Sequence, residues 1–79
     1  MYYVYILRNL NGRHYTGYSE DLNKRLRSHN SNRVRSTKNK GPWEIVYYEA
    51  YKTRKEAYLR ERQIKQYKGG EAFKKLLMT

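Results

Sequence analysis

"YYVYILRNLNGRHYTGYS", residues 2–19, decides the fold of this 79-residue chain. Over residues 2–8, apolar and aromatic side chains fill both alternating sets of positions, which is typical of a central strand covered on both faces. Asn11-Gly12 is a strong hairpin signal, and residues 13–19 have the composition of a returning strand. The stretch therefore predicts a β-hairpin whose first strand lies in the middle of a small sheet.

Two pairings of this hairpin are compatible with its loop. A two-residue loop, Asn11-Gly12, turns Tyr15 to the opposite face from Tyr5. A three-residue loop with its glycine left-handed shifts the pairing by one, and sets Tyr5 opposite Gly17. The second pairing gathers Tyr3, Tyr5 and Tyr15 on one face, beside a glycine gap where a substrate could approach the backbone closely.

The rest of the chain supplies one more strand and three helices. The predicted elements are a helix capped by Ser19 or Asp21 and running to about Asn30, a mobile polar loop over 31–42, a strand over 43–51, a helix from the Thr53–Glu56 capping box to about Lys68, and a short helix over 71–78. The order β-β-α-β-α-α predicts one α+β domain over residues 1–79, with a three-stranded antiparallel sheet and flanking helices.

Charge is the strongest signal in the composition. Eighteen Lys and Arg outnumber seven Asp and Glu, which gives a formal net charge of +11. No acidic residue lies between Leu22 and Trp43. Such a stretch attracts polyanions, because neutralised phosphates release their counterions. We therefore expect a nucleic-acid partner, and its expected contacts in this stretch are Arg27, Arg33, Arg35, Lys38 and Lys40.

Composition also excludes several classes of protein. The chain contains no cysteine, which excludes disulfides, thiolate zinc sites and cysteine nucleophiles. No apolar run approaches the ~20 residues of a membrane span, and no signal-peptide pattern opens the chain. We expect a cytoplasmic protein that does not associate with membranes.

The first predicted helix places two polar residues toward the sheet. A rotation of ~100° per residue aligns His29 with Leu22 and Leu26, and sets Arg25 at the edge of this stripe. Both residues also have ordinary explanations, Arg25 as a solvated surface arginine and His29 as a core or helix-end histidine.

The second long helix carries a carboxylate on its inward side. Glu61 lies between Ala57 and Ile64, and Lys68 extends the same stripe. A carboxylate in that position is costly to bury unless it is paired or holds a metal. Glu61 is therefore the expected metal ligand, and a structural ion pair with Arg60 or Lys65 is the alternative.

Four segments together resemble a known family. They are Tyr3-Val4-Tyr5, Tyr15-Thr16-Gly17, "SEDLNKRLRSH" over residues 19–29 and "EAYLRERQIK" over residues 56–65. In this order and spacing the chain resembles the GIY-YIG nucleases, specifically their short single-domain bacterial members, over essentially its whole length. Tyr3 stands where the name motif has its first glycine.

The resemblance implies a metal-dependent endonuclease that hydrolyses phosphodiester bonds, with DNA as the expected nucleic acid. The family uses one divalent metal, usually magnesium, with manganese as the alternative. Glu61 would hold the metal, and Arg25 would stabilise the phosphate in the transition state. Tyr15 or Tyr5 would activate the water, with His29 as a competing base or proton shuttle. Sequence selectivity would come from a protein partner or from DNA shape, or would be absent.

The alternative function is that of a non-catalytic basic nucleic-acid-binding module, a degenerate member of the family. Charge and tyrosines suit this function equally well, because aromatic side chains stack on unpaired bases. Glu61 discriminates between the two, since a polyanion binder needs no carboxylate on an inward stripe. The tyrosines outside the motifs, Tyr2, Tyr47, Tyr48 and Tyr51, are expected to serve packing.

Overall fold

The computed structural model describes residues 1–78. In chain order its elements are β1 (Tyr2–Asn9), β2 (His14–Ser19), α1 (Leu22–Asn30), β3 (Trp43–Tyr51), α2 (Arg54–Gln66) and α3 (Glu71–Leu77). The strands form one antiparallel sheet in the order β2-β1-β3, so the first strand is central. The predicted α+β class and the order β-β-α-β-α-α are confirmed.

The hairpin adopts the three-residue loop. Tyr5 lies opposite Gly17, and Gly12 is left-handed with a φ of 80°. The buried Asn9 organises the loop, since its side-chain oxygen accepts the N–H groups of Asn11 and Arg13 at 3.1 and 2.9 Å. This register sends Tyr3, Tyr5 and Tyr15 to the same face of the sheet.

Strand β1 divides the core into two clusters, one on each face of the sheet. Val4 and Ile6 pack with Ala57, Ile64 and Phe73, so α2 and α3 cover this face. Tyr5 and Leu7 pack on the other face, where their neighbours are Trp43, Tyr15, Leu22, Leu26 and Ile45. The four central side chains of β1 are at most 2 % exposed, which explains why this strand has no polar face.

Side-chain caps set the beginnings of both longer helices. The Asp21 carboxylate accepts the Lys24 N–H at 3.0 Å, so Asp21 rather than Ser19 caps α1. The Thr53 hydroxyl accepts the Glu56 N–H at 3.2 Å and starts α2. These two caps are local in sequence, and both helices begin where the sequence predicts.

Helix α2 ends earlier than predicted. Its last residue is Gln66, and Lys68 lies beyond it with a left-handed φ of 50°. Lys68 is exposed and does not extend the inward stripe of Ala57 and Ile64. The prediction that Lys68 belongs to that stripe was wrong, because the chain has already left the helix there.

The segment over residues 31–42 has more structure than the predicted polar loop. A 3₁₀ turn covers Arg35–Thr37, and Thr37 is only 1 % exposed. The Asn30 side-chain amide fixes the far end of the segment: its nitrogen donates to the Trp43 carbonyl at 3.1 Å, and its oxygen accepts the Trp43 N–H at 2.6 Å. The segment therefore folds back against the end of α1.

Three of the four tyrosines that were predicted to serve packing lie against the core. Tyr2, Tyr47 and Tyr51 pack around the Val4–Ile6 cluster as predicted, whereas Tyr48 is 57 % exposed and was wrongly assigned to packing.

Within residues 1–78, none of the helices is both long enough and apolar enough to cross a membrane.

Candidate active site

The Tyr5 hydroxyl lies at the centre of the site. The Tyr5 ring fills the space beside Gly17, where an added Cβ would lie 2.6 Å from the hydroxyl oxygen. The glycine gap predicted as an approach for substrate is therefore occupied by Tyr5 itself. Gly17 is needed here because any side chain would displace the phenol.

A chain of hydrogen bonds runs through this hydroxyl. Arg25 donates its Nε–H to Tyr5 at 3.3 Å, and Tyr5 bonds to His29 Nε2 at 2.9 Å. On the other side of the imidazole, Nδ1 bonds to the Thr37 hydroxyl at 2.7 Å, and Thr37 donates to the Val34 carbonyl at 3.4 Å. Because Thr37 gives its proton to that carbonyl, this network places the imidazole proton on Nδ1 and leaves Nε2 to accept from Tyr5.

Burial keeps the phenol and the imidazole of this chain neutral. Burial raises the pKa of Tyr5 to about 12, although its hydrogen bond from Arg25 opposes the rise. Burial also lowers the pKa of His29 to about 4, and the nearby positive charge of Arg25 acts in the same direction. At neutral pH, Tyr5 and His29 therefore hold Arg25 in place without carrying charge themselves.

Tyr15 is the phenol of the site that solvent can reach. It lies on β2 and is partly exposed, with its ring centroid 5.0 Å from that of His29. The hydrogen bond to Tyr5 raises the pKa of the Arg25 guanidinium, and the nearby Tyr15 acts in the same direction. The Lys65 ammonium lies 5.8 Å from the centroid of the Tyr15 ring. Tyr15 therefore has one cation on α1 and a second on α2.

Glu61 reaches the site from the helical layer on the opposite face. Its side chain is 12 % exposed, and one carboxylate oxygen lies 3.6 Å from the Lys65 ammonium. The negative charge of Glu61 contributes to the raised pKa of Tyr5, so the two groups are electrostatic neighbours. Of the two predicted ion-pair alternatives, the structure shows Lys65, because Arg60 pairs with Glu49 at 2.8 Å.

Glu61, as a single carboxylate, suits only a cation that keeps most of its water ligands. Over residues 1–78, no group of three or more His, Asp or Glu could enclose a metal ion. Mg²⁺ fits such a position, because it binds through one or two carboxylates and keeps several of its waters. A pair separated by 3.6 Å is longer than a charge-assisted hydrogen bond, so Lys65 engages the Glu61 oxygens only loosely.

The predicted nucleic-acid contacts divide into two groups. Arg27 and Arg33 line one cleft with Lys24, and Lys24 also lines the next cleft along α1, which holds Arg25. The other predicted contacts are exposed on the 31–42 segment and lie outside these clefts: Arg35, Lys38 and Lys40. The structure thus connects a basic surface on α1 directly to Arg25.

This geometry agrees with the comparison to protein families. The model of the GIY-YIG catalytic domain matches residues 1–74. The chain belongs to the GIY-YIG family. Membership of this nuclease family confirms the resemblance carried by the four sequence segments.

Relatives of this GIY-YIG chain carry a name that states no activity. A UPF0213 protein of Staphylococcus epidermidis is 43 % identical over 67 residues, which cover 84 % of this chain and 82 % of the relative. A UPF0213 protein of Staphylococcus aureus is 42 % identical over the same length. The solution NMR structure of a UPF0213 protein from Bacillus halodurans superposes with a TM-score of 0.56 and 32 % identity, covering 99 % of this chain and 83 % of that one.

Thr37 is the residue of this GIY-YIG site that sequence reasoning missed. It is buried and holds His29 in position, but it lies in a polar segment without periodicity or a motif. Its burial depends on the return of the 31–42 segment over α1, a tertiary event. No local pattern in the sequence signals such a contact.

Proposed function

We propose that this domain is a metal-dependent endonuclease that hydrolyses phosphodiester bonds in nucleic acid, with DNA as the expected substrate. The observation that carries the proposal is the convergence of a guanidinium, two phenols and an imidazole between α1 and one face of the β1–β2 hairpin. A largely buried carboxylate from α2 lies next to them. Membership of a nuclease family supports the same conclusion.

Arg25 is the proposed phosphate ligand. The bond from its Nε to Tyr5 fixes the guanidinium before substrate binds, and the His29–Thr37 pair fixes Tyr5 in turn. A preorganised guanidinium stabilises the charge that a phosphate gains in the transition state. Tyr5 and His29 then act as positioning residues, because both are buried and neutral and their polar atoms are already bonded.

Tyr15 is the proposed acceptor of the proton from the attacking water. An unperturbed tyrosine with a pKa of ~10 is a poor base at neutral pH, so its phenolate needs positive charge nearby. Arg25 and Lys65 supply two such charges. Tyr5 suits this role less well, because burial raises its pKa to about 12.

Glu61 is the proposed ligand of a divalent cation, Mg²⁺ in the first place and Mn²⁺ as the alternative. When bound, such a cation supplies Lewis-acid stabilisation for the leaving 3′ oxygen and the scissile phosphate. Lys65 lies between this carboxylate and the Tyr15 ring, 3.6 Å from a Glu61 oxygen and 5.8 Å from the centroid of the ring. The basic surface of Lys24, Arg27 and Arg33 would hold the flanking phosphates.

Cleavage assays on two variants test this function. The purified chain is incubated with labelled duplex, single-stranded, flap and junction DNA, in Mg²⁺ or in chelator. Arg25→Ala and Glu61→Gln should each lower the cleavage rate by ~10²–10³, because each removes a group that acts mainly on the transition state. Melting temperature and DNA affinity should change little.

Matched controls remove the same charge elsewhere. Arg62→Ala deletes an exposed arginine whose partner is Tyr58, and Glu44→Gln breaks an exposed ion pair with Arg8. Both should leave cleavage unchanged, since exposed pairs contribute little to stability. If the wild type cuts no substrate in Mg²⁺ or Mn²⁺, the chain is the non-catalytic binding module instead of an endonuclease. If both site variants cut as fast as the wild type, the roles given to Arg25 and Glu61 are wrong.

A further inference from the structure

A second cleft adjoins the candidate active site on the same face of the sheet. It has a volume of about 520 Å³, within the size range of small-molecule sites. Tyr3 and Tyr48 line it, and Leu22 and Ile45 add apolar surface. Tyr48 lies directly opposite Tyr5 in the pairing of β1 with β3, so this cleft and the phenol at the centre of the site share one face.

Packing does not explain Tyr48, one of the two tyrosines of this cleft. Tyr48 is 57 % exposed, and its ring meets the Tyr3 ring edge to face with the centroids 6.1 Å apart. An aromatic ring left open to solvent beside a cleft is the arrangement on which proteins stack unpaired bases. The apolar side chains of Leu22 and Ile45 would cover further base surface.

The charges around the two neighbouring clefts differ. Arg25 and Lys24 line the cleft that would take the phosphate, and Glu20 and Asp21 line both clefts at their common wall. The tyrosine cleft has no basic residue in its lining, so its carboxylates disfavour a phosphate there. A neutral base meets no such repulsion, and an N–H of its edge, the ring N3–H in the case of thymine, can donate to a carboxylate.

We propose that the Tyr3–Tyr48 cleft binds the unpaired base of the nucleotide next to the phosphate held by Arg25. The inference rests on the proposed function and names its substrate class, namely nucleic acid with an unpaired nucleotide at the cleavage site. A base inside a duplex cannot enter, because both of its faces are stacked and its edge is paired. The cleft thus selects structure rather than sequence.

Binding measurements in chelator test this site without any cleavage. Fluorescence anisotropy compares a labelled DNA duplex carrying one unpaired thymine with the same duplex carrying an abasic residue at that position. The wild type should bind the thymine duplex roughly 5- to 100-fold more tightly, as expected for stacking of one base. Tyr48→Ala should bind both duplexes alike, with the affinity that the wild type has for the abasic one.

Two control variants isolate the aromatic ring. Tyr48→Phe keeps the ring and should keep the preference for thymine. Tyr58→Ala removes another exposed tyrosine, 40 % exposed and located on α2, and should also keep it. Equal wild-type affinity for the two duplexes, or a thymine preference that survives in Tyr48→Ala, overturns the proposal.

The two proposals fail in different ways. A thymine preference that depends on Tyr48, with no cleavage in Mg²⁺, would support the base-binding site and contradict the endonuclease activity. Cleavage that depends on Arg25, with no thymine preference, would support the endonuclease activity and contradict the base-binding site.

Discussion

At the scale of single residues, Tyr5 belongs to the core and to the candidate site at once. Its ring packs with Leu7 and Trp43, and its hydroxyl holds Arg25. This double role is available only because residue 17 has no side chain. A Cβ there would lie 2.6 Å from the hydroxyl oxygen and 2.8 Å from the ring.

Gly17→Ala should therefore disable the site through Tyr5. The added methyl must push the phenol away from Arg25, which should lower stability by ~1–3 kcal/mol and abolish most of the cleavage. Gly12→Ala is the matched control: its φ of 80° makes alanine cost about 1 kcal/mol, but no atom lies within 4 Å of the new methyl. Urea unfolding and cleavage on both variants check this. Full activity in Gly17→Ala would contradict the role given to Tyr5.

His29 should make stability depend on pH. Its pKa is about 4 in the folded chain and 6.5 in the reference state, so the unfolded chain binds more protons between these values. Stability is therefore complete above about pH 6.5 and falls as the pH drops toward about 4. From about pH 7.5 to about pH 5 the expected loss is about 2 kcal/mol. Urea unfolding at the two pH values measures it.

The other histidine and one carboxylate serve as references. His29→Gln should be less stable but almost independent of pH in this window, whereas His14→Gln should keep most of the dependence. Burial would raise the pKa of Glu49, but hydrogen bonds from Arg60, Tyr47 and Tyr51 outweigh it and lower that pKa to about 2. Glu49 therefore affects stability only below about pH 4.5, outside the window. A wild-type curve as flat as that of His29→Gln would show that His29 titrates normally.

At the scale of elements, the 31–42 segment carries a prediction about binding. Its basic side chains are exposed, and the buried Thr37 holds the turn, so alanine substitutions there should not unfold the chain. Replacing four of them together should weaken DNA affinity for all sequences and flatten its salt dependence by ~0.9 for each phosphate that is no longer neutralised. The four are Arg33, Arg35, Lys38 and Lys40.

Four exposed lysines elsewhere in the chain provide the control, because replacing them with alanine removes the same amount of charge. They are Lys52, Lys55, Lys74 and Lys75, which lie outside the clefts around Arg25. Titrations by anisotropy from low to high salt compare the two quadruple variants with the wild type. If the 31–42 variant has the same salt slope as the wild type, the segment does not touch the phosphates.

Local chemistry explains why the elements were predictable. Strand β1 follows from the apolar and aromatic side chains on both of its alternating sets, and the hairpin follows from Asn11-Gly12. Helices α1 and α2 follow from the caps at Asp21 and Thr53. Each of these signals lies within a few residues of what it determines. The 3₁₀ turn at Arg35–Thr37 has no such signal, because contacts with α1 create it.

At the scale of the whole molecule, the contacts between layers were the part that sequence could not supply. The helical stripe predicts that Glu61 points inward, but α2 packs on the Val4–Ile6 face, and Glu61 meets the site from that layer. Tyr48 lies directly opposite the buried Tyr5 and on the same face of the sheet, yet it is 57 % exposed. Both outcomes depend on how far each helix extends over the sheet.

The Asn30 amide also affects how one molecule meets another. Its two hydrogen bonds to Trp43 are those that the peptide group of a neighbouring strand would make. Unpaired peptide groups at a sheet edge recruit strands from other chains, which is a route to aggregation. At this end of β3 the N–H and C=O of Trp43 are already hydrogen-bonded to Asn30, the last residue of α1. A strand of another chain therefore cannot begin to pair with β3 at this position. One side chain thus shields the beginning of an edge strand against intermolecular pairing.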